Sequence, residues 1–75
     1  MSSIHDPRYR ELIEALILKR ELKNITQVQL ASSLKKPQSY VAKVENFERR
    51  IDVLELHDWL AVLGISIVKF LEENL

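Results

Sequence analysis

The reactive side chains of this sequence are mainly amides, hydroxyls and cations, which suit binding rather than catalysis. The 75 residues include no cysteine and one glycine, so thiol nucleophiles, thiolate metal sites and glycine-rich phosphate loops are excluded. Neither G-x-S-x-G nor H-E-x-x-H occurs. His5 and His57 have no partner at metal-ligand spacing. We therefore predict a protein that is not an enzyme and that has no catalytic residue, no metal site and no cofactor.

A polar stretch near the middle of the sequence is the best candidate for recognition of another molecule. Gln38, Ser39 and Lys43 belong to one short predicted helix, and Ser39 and Lys43 are four residues apart, so they share a face. Arg49 and Arg50 follow in a polar loop. Amide, hydroxyl and cationic groups of this kind form directional hydrogen bonds with a polar partner.

The net charge of zero, from 11 basic and 11 acidic residues, argues at first against a nucleic-acid partner. The charges are not evenly spread, however. Residues 19–50 hold eight basic and three acidic groups, whereas residues 51–75 hold one basic and five acidic groups. The middle segment is therefore basic and the end acidic, which favours an acidic partner for the middle segment.

The elements that position these side chains are predicted to be helices. One glycine and two prolines are too few turn-formers for a small β-sandwich, and the apolar residues recur with a helical period. The sequence therefore predicts an all-α fold of five short helices in a single domain, residues 1–75. The predicted helices span about residues 7–23, 26–35, 37–45, 52–63 and 66–74.

Capping residues mark the ends of these helices. Asp6 before Pro7 and Ser66 are typical N-caps. Thr26 with Gln29 and Asp52 with Glu55 have the spacing of capping boxes. At the other ends, Asn24 and Gly64 tolerate the left-handed conformation that closes helices.

The sequence contains no segment typical of a membrane protein. Its longest mostly apolar stretch, residues 59–68, is about half of the roughly 20 residues that a spanning helix needs. The N-terminus lacks the features of a signal peptide. We expect a cytoplasmic protein without a membrane partner. A domain this small has little core and often buries surface against a second copy.

Two short helices joined by a tight turn suggest a helix-turn-helix, and the motifs around them resemble the phage-repressor (Xre/Cro-type) helix-turn-helix family. The resemblance covers about residues 8–71. It rests on ITQVQLASSL at 25–34, KKPQSYVAKVEN at 35–46, RRIDVLEL at 49–56 and LGIS at 63–66. It implies a compact five-helix, lambda-repressor-like domain whose second and third helices form the helix-turn-helix.

The resemblance implies that the protein is a sequence-specific, repressor-like transcriptional regulator of double-stranded DNA. Gln27 would hold a phosphate and brace the recognition helix, and Gln38 can pair with the N6/N7 edge of adenine. Ser39 and Lys43 would reach bases or backbone, and Tyr40 would lie against a sugar or a thymine methyl group. The residues after the recognition helix would meet phosphates: Asn46, Arg49 and Arg50.

We also expect a homodimer on a palindromic operator, because one recognition helix reads only a few base pairs. The predicted contact between copies is the apolar C-terminal region, which comprises Ile65, Ile67, Val68, Phe70 and Leu71. No small-molecule effector is implied. The alternative is a helix-turn-helix scaffold that binds proteins, such as an antitoxin or adaptor, without sequence-specific DNA binding; neutral total charge supports it.

Two residues depart from the family pattern. Lys35 occupies a turn position that is usually glycine, so either the lysine adopts a conformation better suited to glycine or the turn differs slightly. Leu60 replaces a small alanine on the inner face of the fourth helix and is expected to change core packing. Neither change removes a predicted DNA-contacting residue.

Overall fold

The computed structural model describes residues 4–75, and within this range the chain forms five α-helices and no strand. The predicted all-α class and the order of five helices are confirmed. The first helix ends one residue earlier than predicted, at Leu22. The helices are α1 Pro7–Leu22, α2 Gln27–Leu34, α3 Gln38–Glu45, α4 Val53–Leu63 and α5 Ile67–Asn74.

Side chains cap the start of every helix except α3. The predicted capping boxes are present at Thr26 with Gln29 and at Asp52 with Glu55. Asp6 and Ser66 also accept backbone N–H groups, as predicted. The N-cap of α3 is Pro37, which makes no side-chain hydrogen bond. Packing against its neighbours must therefore stabilise α3.

Left-handed residues follow four of the helices and reverse the chain sharply. Asn24, Lys35, Phe47 and Gly64 have φ between 58° and 71°. After α2, the Lys36 N–H donates to the Ala31 carbonyl at 2.9 Å, the bond that defines a Schellman motif. Of the two alternatives for Lys35, the structure has the glycine-like conformation, with φ 59° and ψ 41°.

One hydrophobic core joins all five helices. Trp59 of α4 is 1% exposed, and Leu60 is completely buried, as its predicted place on the inner face of α4 requires. The remaining buried apolar side chains come from every helix: Ile13, Leu16, Leu30, Ala31, Tyr40, Val41, Val44, Leu56, Leu63 and Phe70. In the part of the chain that the structure describes, no helix is long and apolar enough to cross a membrane.

The last helix, α5, packs into this core through Phe70, whose side chain is completely buried. This burial corrects the prediction that Phe70 contacts a second copy, because its ring has no surface left to offer a partner. Ile65, Ile67 and Leu71 are partly buried against the core. Val68 is 64% exposed and is the most accessible of the five predicted interface residues.

The left-handed conformation of Lys35 predicts that Lys35→Gly stabilises the protein. A residue with a Cβ is strained there, so glycine should raise the free energy of unfolding by about 1 kcal/mol despite its more flexible unfolded state. Urea denaturation followed by circular dichroism measures the change. Lys35→Ala is the matched control, since it removes the same charge but keeps the Cβ. An equal gain for both variants would assign the effect to charge instead.

Candidate nucleic-acid interface

Helices α2 and α3 form the predicted helix-turn-helix, and α3 has one buried and one exposed face. Val41 and Val44 are completely buried. Gln38, Ser39 and Lys43 are exposed, so the structure places these three predicted site residues on one accessible surface. We call this surface the α3 strip.

A buried ion pair joins the end of α3 to the end of α1. The Arg20 guanidinium donates through Nε to Glu45 Oε2 at 2.7 Å and through Nη2 to Glu45 Oε1 at 2.8 Å. Its Nη1 donates to the Ile25 carbonyl at 2.7 Å, in the turn between α1 and α2. The residues are 8% and 7% exposed. This bidentate geometry fixes three segments of backbone relative to one another.

Two glutamine side chains extend this hydrogen-bond network to the surface. Gln27 donates through Nε2 to Glu45 Oε1 at 2.8 Å, and Gln38 donates through Nε2 to Gln27 Oε1 at 3.0 Å. The predicted bracing of the recognition helix by Gln27 therefore has a direct structural counterpart. Its predicted phosphate contact is a separate role, for which the second Nε2 hydrogen is the available donor.

The bond to Gln27 leaves Gln38 with the groups that adenine requires. An amide has one acceptor oxygen and two N–H donors, and only one donor of Gln38 is used. The Oε1 atom can accept from adenine N6, and the remaining N–H can donate to N7. The orientation of the amide is set before any partner arrives, which reduces the entropy lost on binding.

Tyr40 lies in the core, and its position corrects the prediction that it contacts DNA. The residue is 9% exposed. Its hydroxyl donates to Glu55 Oε2 at 3.0 Å and accepts from the Trp59 indole Nε1 at 3.1 Å. Burial raises the pKa of the Tyr40 hydroxyl. The side chain therefore connects α3 to α4 instead of facing a base.

Arg49 lies over the ring of Tyr40, with its guanidinium carbon 4.7 Å from the ring centre. Its Nη1 is 3.1 Å from Glu55 Oε2 and donates to the Arg50 carbonyl at 2.9 Å. Burial alone would raise the pKa of Glu55. Hydrogen bonds from the Asp52 N–H and the Tyr40 hydroxyl, together with Arg49, outweigh burial and lower it. Glu55 is therefore a carboxylate at neutral pH.

The two remaining predicted DNA-contacting residues, Asn46 and Arg50, follow α3 in the sequence. Asn46 is exposed at the C-cap of α3. Arg50 is exposed in the following loop, with its guanidinium carbon 5.8 Å from the centre of the Tyr9 ring. Burial raises the pKa of the Tyr9 hydroxyl, which accepts from the Ile51 N–H. The loop after α3 is thus tied to α1.

The Arg20–Glu45 pair was not predicted from the sequence, although a signal for it is present. Arg20 continues the stripe of Ile13 and Leu16, and Glu45 lies four residues after Val41 on the buried face of α3. Opposite charges on two otherwise apolar faces suggest a buried ion pair. The pattern does not show which charge pairs with which. Among residues 4–75, no group of three potential ligands could hold a metal ion.

The buried ion pair between Arg20 and Glu45 predicts that Glu45→Ala strongly destabilises the protein. Removing the carboxylate leaves the Arg20 guanidinium buried without its partner, so the free energy of unfolding should fall by about 3–5 kcal/mol. Thermal unfolding followed by circular dichroism measures the loss. In the double variant Arg20→Met with Glu45→Leu, neither charge remains, and most of the stability should return. A double variant no more stable than Glu45→Ala would contradict this account.

Comparisons with known proteins agree with this geometry. The helix-turn-helix family matches residues 16–70. A solved structure, an XRE-family like protein from Pseudomonas syringae pv. tomato str. DC3000, is 41% identical and has a TM-score of 0.89. The match covers 95% of this chain and 87% of that chain. No curated protein matches the sequence. The chain belongs to the Xre-type helix-turn-helix family.

Proposed function

We propose that this protein is a sequence-specific, repressor-like transcriptional regulator that binds a palindromic operator as a homodimer. The recognition element is α3, which enters the major groove. The observation that carries the proposal is the exposed Gln38 amide, which Gln27 and Glu45 hold with its base-pairing groups available. Members of the Xre-type family are DNA-binding regulators, which supports the same function.

The contacts with DNA divide into base-reading and phosphate-binding groups. Gln38 and Ser39 read base edges from the start of α3, and Lys43 reaches guanine or the backbone. The residues around them bind phosphates: Gln27, Asn46, Arg49 and Arg50. The proposed complex requires no cofactor or small-molecule effector. We expect it to form in the cytoplasm.

Dimer formation follows from the small size of one reading surface. An eight-residue α3 contacts few base pairs, so high specificity requires two copies about 34 Å apart. We propose that the region around α5 joins the copies, with Val68 at the centre of the contact and Ile65, Ile67 and Leu71 beside it. Val68 is 64% exposed, so it can be buried against a partner without rearrangement of the core.

The DNA-reading role predicts that Gln38→Ala combined with Lys43→Ala weakens specific binding. The operator is first selected from randomised duplex DNA with the unaltered chain. A lost bidentate adenine contact is worth about 1–3 kcal/mol, so affinity for that site should fall at least about tenfold. If Lys43 binds a phosphate, the salt-dependence slope should decrease by about 1.

Arg8→Ala is the control for this experiment, because Arg8 is an exposed cation at the start of α1 and belongs neither to the α3 strip nor to the proposed dimer contact. It should retain specific binding. Failure to enrich any duplex, or binding by the double variant equal to that of the unaltered chain, would contradict the proposal. Those results would favour the protein-binding scaffold instead.

The proposed dimer contact predicts that Val68→Asp produces a folded monomer. A charge at the centre of an apolar contact is costly to bury, so self-association should weaken at least about tenfold. Sedimentation equilibrium measures association, and operator binding should weaken with it. Leu54→Asp is the control, since Leu54 is 73% exposed on α4 and outside the proposed contact. Equal association of both variants with that of the unaltered chain would exclude this interface.

A further inference from the structure

Arg49 makes its polar contacts with the protein through one side of its guanidinium group. One nitrogen, Nη1, serves both protein partners, the Glu55 carboxylate and the Arg50 carbonyl. The planar group lies 4.7 Å above the Tyr40 ring. The guanidinium group of Arg49 therefore contacts the protein through one terminal nitrogen and one planar face, while 42% of the side chain remains exposed.

The opposite edge of this guanidinium remains available. Among residues 4–75, neither Nε nor Nη2 of Arg49 donates a hydrogen bond. These two N–H groups are parallel, and their spacing matches two oxygens of a phosphate. The protein partners thus leave the edge that makes bidentate phosphate contacts.

We propose that Glu55 is a positioning residue, which holds Arg49 so that its Nε–Nη2 edge binds one backbone phosphate beside α3. This inference rests on the proposed DNA-binding function and assigns Glu55 a part in it. The carboxylate is itself fixed by three groups: the Asp52 N–H, the Tyr40 hydroxyl and Arg49. The Tyr40 ring supplies the surface on which the guanidinium lies. Tyr40 thus affects DNA binding without contacting DNA.

The charge of Glu55 makes this role testable by the sign of an effect. A carboxylate near a phosphate repels it, so removal of the negative charge should tighten DNA binding if charge alone matters. Loss of the positioning contact has the opposite effect, because Arg49 becomes mobile and must be ordered on binding. The two explanations therefore predict opposite changes in affinity.

The decisive variant is Glu55→Gln. Glutamine is a normal residue at this position of a capping box and can accept from the Asp52 N–H, so α4 should still begin correctly. We expect affinity for the selected operator to fall about fivefold, because the ion pair that holds Arg49 is lost. Fluorescence anisotropy at several salt concentrations measures affinity, and thermal unfolding checks that the variant is folded at the assay temperature.

Glu48→Gln is the matched control. Glu48 is an exposed carboxylate in the loop between α3 and α4, and it adjoins Arg49 in the sequence. It should bind the operator as well as the unaltered chain or slightly more tightly. If Glu55→Gln also binds as tightly or more tightly, Glu55 does not position Arg49 and the proposal is wrong.

Arg49→Lys tests the bidentate edge itself. Lysine keeps the charge but has neither the planar face nor the parallel N–H groups, so affinity should fall about tenfold with an unchanged salt-dependence slope. Affinity equal to that of the unaltered chain would overturn the phosphate contact. If the unaltered chain binds its operator while these variants show no loss, only this inference fails. If the unaltered chain selects no duplex, the proposed function fails too.

Discussion

The buried contact between Arg20 and Glu45 is the interaction on which the arrangement of the α3 strip depends. Two charges removed from water gain little net stability unless their hydrogen bonds are complete. Here both oxygens of the Glu45 carboxylate accept hydrogen bonds from Arg20, and one of them also accepts from Gln27. Arg20 donates a further hydrogen bond to the Ile25 carbonyl. The main contribution of the pair is therefore geometrical, because it fixes α1, the turn after it and α3 together.

This fixed geometry matters because α3 is too short to be stable by itself. Its eight residues make about two turns, and Pro37 provides no side-chain cap at its start. Near its start, Gln38 is linked through Gln27 to the buried pair. At its middle, Tyr40 is bonded to Trp59 and Glu55 of α4. Polar bonds from two directions thus orient a helix whose own backbone could not maintain its position.

The sequence permitted much of this structure to be predicted, since helical period and capping are local properties. The capping boxes at Thr26 and Asp52 and the strained Lys35 could be recognised from a few neighbouring residues. Tyr40 and Phe70 were assigned to binding surfaces because a pattern of apolar spacing does not show which aromatic ring the core encloses. The pairing of Arg20 with Glu45 spans 25 residues and depends on how α1 crosses α3. No local rule specifies that crossing.

Internal ion pairs also reduce the positive charge that the basic middle segment, residues 19–50, can offer to a partner. Of its eight cations, Lys19, Arg20 and Arg49 pair with carboxylates. Arg20 is buried and cannot reach a phosphate at all. The electrostatic attraction to DNA is therefore smaller than the charge of residues 19–50 indicates, and lysines carry much of it. Since this attraction is independent of base sequence, a weaker attraction limits non-specific binding, and in the proposed complex more of the discrimination between sites then falls to the oriented amide of Gln38.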